Sequence, residues 1–119
     1  MIYRYALSYL ETWKKNPMRK PLILRGARQV GKTTLVENFA TEFDCFLKLN
    51  LDEEEDRLLF TRYKEIHRLI EAIFFHLQKN PTEGSTLLFI DEIQNSPEAV
   101  AILRYFHEKR PDIYVIAAG

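Results

Sequence analysis

A chain of 119 residues, 46% of them apolar, is long enough for one domain with a buried core and too short for two. Its 17 basic residues balance 17 acidic ones, so no net basic field draws it to nucleic acid or acidic membranes. The single cysteine, Cys45, excludes an internal disulfide and, within an apolar run, reads as a small buried hydrophobe. No apolar run reaches the ~18 residues of a membrane span, and MIYRYALSYLETWKK lacks a signal-peptide core, which together predict a soluble cytoplasmic protein.

Residues 2–15 place Ala6, Leu10 and Trp13 on one stripe at helical spacing, with Tyr5 and Tyr9 beside it. This predicts an amphipathic helix that Asn16-Pro17 ends. PLILR, 21–25, is a short apolar strand bounded by proline and glycine, and a glycine-containing loop follows it. Leu35, Val36, Phe39, Ala40 and Phe43 then predict a helix from Lys32 to about Glu42. CFLKLN, 45–50, reads as a second strand. The acidic run at 52–56 suits a solvated helix start, where negative charge meets the positive end of the dipole; a metal site there is the alternative.

The spacing of Tyr63, Ile66, Leu69, Ile70, Ile73, Phe74 and Leu77 predicts one helix over 62–79, with His67 and His76 off its apolar stripe or at its edge. A turn at 81–85 leads to the apolar strand TLLFI, 86–90, which ends in Asp91-Glu92. Ser96 as N-cap and Pro97 at the first helical position open another helix, with Ala99, Val100, Leu103 and Phe106 on its apolar face. Pro111 ends it, and IYVIAA, 113–118, is the last strand. Strands apolar on both faces and separated by helices predict a parallel sheet covered on both sides. Natural chains seldom stop flush with a core strand, so IYVIAAG at the end predicts that these residues are part of a longer protein.

GARQVGKT, 26–33, fits G-x-x-x-x-G-K-S/T, which this short chain would match by chance on the order of one percent of the time or less, given ordinary glycine usage. The predicted strand before it and helix after it are the context the motif needs. Successive backbone N–H groups there can curl around phosphates, joined by the free donors at the helix start. On this reading Gly26, Ala27, Arg28, Gln29, Val30, Gly31, Lys32, Thr33 and Thr34 form a phosphate cradle. Gly26 and Gly31 permit a backbone geometry and a close approach that side chains would block. Lys32 reaches the β- and γ-phosphates, and Thr33 offers its hydroxyl to Mg²⁺. Arg28 and Gln29 either touch a phosphate or point to solvent. Asp91, at the C-terminal end of an apolar strand, would hold the magnesium through water. Glu92 faces the other way, where it could act as general base on the attacking water. Arg104 and Arg110 read as solvated.

GARQVGKTT, LFIDEIQ, the YFHE helix and the closing VIAAG resemble the AAA-domain ATPases of bacteria and archaea, many of which carry a C-terminal domain of unknown function. The likeness covers nearly the whole chain. It implies a P-loop NTPase three-layer sandwich around a mainly parallel sheet, with ATP as ligand and Mg²⁺ as cofactor. It maps Walker A onto Gly26, Gly31, Lys32 and Thr33, and Walker B onto Asp91 and Glu92. It further implies a fifth strand, a helical lid, a sensor residue and an arginine finger, all placed beyond Gly119. The expected organisation is a single nucleotide-binding domain over 1–119, with a leading helix at 2–15 and a core at 20–119 that carries four strands.

Three functions fit these residues: an ATPase core driving conformational change in attached domains, a slow ATP/ADP switch with regulatory output, and a small-molecule kinase. Adjacent Asp91 and Glu92 suit water activation better than phosphoryl transfer to an acceptor. Without a finger or lid, residues 1–119 alone should bind nucleotide more weakly than the whole protein and hydrolyse it slowly. An open sheet edge favours self-association. Nothing in these residues supports a nucleic-acid role.

Overall fold

The computed structural model describes residues 2–25 and 31–119. Its strands β1 (Leu22–Leu24), β2 (Cys45–Asn50), β3 (Thr86–Asp91) and β4 (Ile113–Ala118) form one sheet in the order β1-β4-β3-β2. Every pairing is parallel. The chain therefore steps across the sheet from β1 to the far edge and then returns strand by strand. Right-handed crossovers that run in opposite directions must lie on opposite faces. The helices obey this: α1 (Ile2–Lys15) and α2 (Lys32–Phe39) cover one face, and α3 (Glu54–Arg62), α4 (Ile66–His76) and α5 (Pro97–Lys109) cover the other.

Alternation along the strands feeds the two cores. In β2, Cys45, Leu47 and Leu49 point into the core under α3–α5, whereas Phe46 packs toward α2. β3 is buried on both faces, dividing Leu88 and Ile90 from Leu87 and Phe89. This is the two-sided apolar strand that a covered parallel sheet requires. Cys45 is a buried free thiol, as its sequence context indicates.

Helix α1 docks through Leu10, which is wholly buried, and through Trp13, whose indole N–H donates to the Lys20 carbonyl at 2.8 Å. Trp13 also meets Phe39 and Tyr114 at ring-centroid distances of 6.4 and 6.1 Å, tying α1 to α2 and β4. Tyr5 and Tyr9, beside the stripe, are 74% and 61% exposed and lie outside that contact.

Three sequence expectations change. The helix expected over 62–79 is the end of α3, a break at Tyr63–Glu65, and α4. Glu65 causes the break: its carboxylate accepts the backbone N–H groups of His67 and Arg68, each at 3.0 Å, and so caps α4. These bonds, that from His67 foremost, hold the Glu65 carboxyl below its ordinary range. The helix from Lys32 ends at Phe39 and tightens into a 3₁₀ turn over Ala40–Glu42. On α5, Val100 is 47% exposed and Ile102 takes the buried place assigned to it.

The start of α5 is as the sequence indicates, with Pro97 in the first turn and the buried Ser96 hydroxyl accepting the Ala99 amide at 3.1 Å. Ser96→Ala removes that cap and should cost about 0.5–2 kcal/mol. Urea unfolding checks it: a lowered midpoint with an unchanged slope is the expected result.

Candidate functional site

All four strands end at the same edge of the sheet, because all are parallel. Arg25, Leu51, Glu92 and Gly119 follow the C-terminal ends of β1, β2, β3 and β4 there. Open α/β sheets bind their ligands at this edge.

Residues 26–30 lie outside the described residues, so the cradle positions Gly26, Ala27, Arg28, Gln29 and Val30 carry no structural statement. From Gly31 onward the chain is described. Helix α2 starts its ladder with the Leu35 amide donating to the Gly31 carbonyl at 2.8 Å. Among the described residues, the amides of Lys32, Thr33 and Thr34 have no backbone acceptor. Gly31, as N-cap, has no side chain to take one. Free amide donors and the dipole at a helix N-terminus favour an anion there.

Gly31 itself sits at φ 165°, extended backbone that does not call for glycine. A Cβ there would meet no described atom within 4 Å. Lys32 and Thr33 are half-buried and Thr34 is exposed.

Thr33 and Asp91 are brought together across the top of the sheet. The Thr33 hydroxyl donates to Asp91 Oδ2 at 3.1 Å, joining positions 58 residues apart in sequence. Asp91 Oδ1 accepts the backbone N–H of Glu92 at 2.9 Å. Glu92 departs from the expected alternation: at φ 56° and ψ 45° it is left-handed, and it leaves the strand rather than continuing it. Its carboxylate Oε1 accepts the Gln94 side-chain amide at 2.8 Å.

Other polar residues support this edge. Asn95 Nδ2 donates to Asp52 Oδ1 at 2.7 Å and to the Leu51 carbonyl at 3.3 Å, and Arg57 donates to the same carbonyl at 2.9 Å. The turn after β3 is thus clasped to the turn after β2. Asp56 Oδ2 accepts the Asn50 amide at 2.8 Å, and Oδ1 shares a 2.7 Å hydrogen bond with His76 Nε2. The acidic run at 52–56 leads into the first turn of α3 as expected and Asp52 is exposed; at Asp56 the solvated reading is corrected, because Asp56 and His76 are half-buried and paired. Among the described residues, no group of three His, Cys, Asp or Glu side chains is placed to hold a metal ion. Periodicity gives no sign of these contacts. The signal available for Gln94 and Asn95 is their position, two and three residues after Glu92 in DEIQN.

Arg104 and Arg110 stay at the surface, the first against Tyr105 and the second paired with Asp112 at 3.0 Å.

Residues 18–119 match the family described as an AAA domain. The chain belongs to that family. It is an AAA-type nucleotide-binding domain, and the α/β sandwich with its parallel sheet is the fold the resemblance implies. The match opens just after α1. No curated protein matches the chain. Among the described residues, no helix of this AAA domain is long and apolar enough to cross a membrane.

Proposed function

We propose that residues 1–119, α1 included, form one cytoplasmic AAA domain that binds ATP with Mg²⁺ and hydrolyses it. Hydrolysis would drive conformational change in domains outside these residues. The observation that carries this reading is the Thr33–Asp91 hydrogen bond, which joins the glycine-loop helix to the carboxylate at the end of β3.

A hydroxyl and a carboxylate 3.1 Å apart are hard oxygen donors, the kind Mg²⁺ prefers. Magnesium usually takes only one or two protein ligands and completes its shell with water and phosphate oxygens, so a two-residue site fits it. When bound, Mg²⁺ would neutralise charge on the β- and γ-phosphates. The residues at 26–31 and the amides of Lys32, Thr33 and Thr34 would cradle the phosphates. Lys32 would add a cation at the β- and γ-phosphates. Glu92 would hold the attacking water and accept its proton. Lys32 and Glu92 are thus the proposed catalytic residues, and Thr33 and Asp91 the proposed metal ligands.

Titration calorimetry with ATP, with and without Mg²⁺, tests the assignment. Wild type should bind more tightly with Mg²⁺, and Asp91→Asn should lose most of that difference while still binding metal-free ATP. Equal magnesium dependence in the two proteins would remove Asp91 from the metal site.

A further inference from the structure

We propose that Gln94 is a positioning residue for hydrolysis, whose side-chain amide fixes the Glu92 carboxylate while the close backbone at Gly119 confines the amide. The proposal rests on the reading of Glu92 as the base.

Two non-glycine residues among those described have positive φ, Gln78 and Glu92. Gln78 follows the C-terminal end of α4, where a left-handed residue commonly ends a helix. Glu92 has no such explanation. It interrupts the alternation of β3 directly after Asp91, and strained backbone of this kind tends to gather at functional sites. The residue is held at both ends. Its backbone N–H is bound by Asp91 Oδ1, and its carboxylate Oε1 by Gln94 Nε2. The Gln94 bond occupies one carboxylate oxygen, which leaves the second to receive a proton.

Gln94 is confined in turn. A Cβ built at Gly119 would overlap the Gln94 side-chain oxygen and approach the Gln94 backbone nitrogen to 3.3 Å. Glycine at the end of β4 thus admits the amide that reaches Glu92. Gly119 is itself fixed to the end of β1, its N–H donating to the Leu24 carbonyl at 3.3 Å. The carboxylate after β3 is therefore referenced through one glutamine to the ends of β4 and β1. β1 is the strand that leads into residues 26–30 along the chain.

Single-turnover ATP hydrolysis and nucleotide Kd, measured on the full chain, test this with Gln94→Leu, Gly119→Ala, Glu92→Gln and the double variant Gln94→Leu/Glu92→Gln. Gln94 is exposed, so Gln94→Leu should keep the wild-type melting temperature. Gly119→Ala displaces the free end of a flexible side chain rather than the core. Each should slow hydrolysis on the order of ten- to a hundredfold, the scale of a small misplacement of a catalytic group, with Kd unchanged. In the Glu92→Gln background, Gln94→Leu should cause no further loss, because it acts through the missing base. Wild-type hydrolysis in Gln94→Leu, or an equal loss in both backgrounds, overturns the positioning role. If Glu92→Gln hydrolyses as wild type does, or wild type shows no turnover, the reading of Glu92 as base fails first and the proposal falls with it.

Discussion

Lys32→Ala should weaken ATP binding by roughly ten- to a hundredfold, the equivalent of about 1.5–3 kcal/mol for a hydrogen bond to a charged group. Lys32 opens α2, where the amides of residues 32–34 have no backbone acceptor among the described residues, so an anion seated there would meet the dipole, the donors and the cation together. The helix should survive the change. Its packing comes from Val36 and Phe39 on the far side of the first turn, and alanine is the better helix former. Calorimetry measures the affinity and circular dichroism the fold. Equal affinity in wild type and variant would mean that the nucleotide sits elsewhere.

Glu92→Gln should retain ATP and lose hydrolysis, by about 10²–10⁴-fold if the carboxylate is the general base. The substitution isolates basicity with little else altered. Glutamine tolerates the left-handed backbone no worse than glutamate. Its carbonyl oxygen can still accept the Gln94 amide that now reaches Glu92 Oε1. Single-turnover hydrolysis in a preparation that turns over as wild type is the measurement. An unchanged rate would leave Glu92 as a turn residue and nothing more.

Local patterns recovered most of the architecture because they report local physics. Two-sided apolar runs marked β3 and β4, since a strand covered on both faces has no polar alternation to hide it, and large apolar residues marked β2. Ser96-Pro97 marked the start of α5, since a cap needs only its own next three residues. The same reading merged the end of α3 with α4. Tyr63 keeps the helical spacing of apolar residues through the break, and nothing in that spacing shows that the Glu65 carboxylate turns back onto the amides of His67 and Arg68. Val100 failed for a related reason: an apolar residue near the edge of a stripe is buried only if a neighbouring element reaches it, and here Ile102 is the one reached.

The sequence by itself determined most of the elements, the parallel sheet and the two loops proposed to bear the chemistry. Glycine, lysine, threonine and a carboxylate after an apolar run are short-range facts about which donors and charges can sit at a strand or helix end. Tertiary structure decided how those ends meet. The order β1-β4-β3-β2 brings Thr33 within 3.1 Å of Asp91, and no spacing along the chain encodes that distance. It also decided the orientation of Glu92. A strand continued in register would have turned its side chain opposite Asp91. The left-handed turn, the Gln94 amide and the close pass of Gly119 fix it instead, because the backbone there must satisfy three chain segments at once.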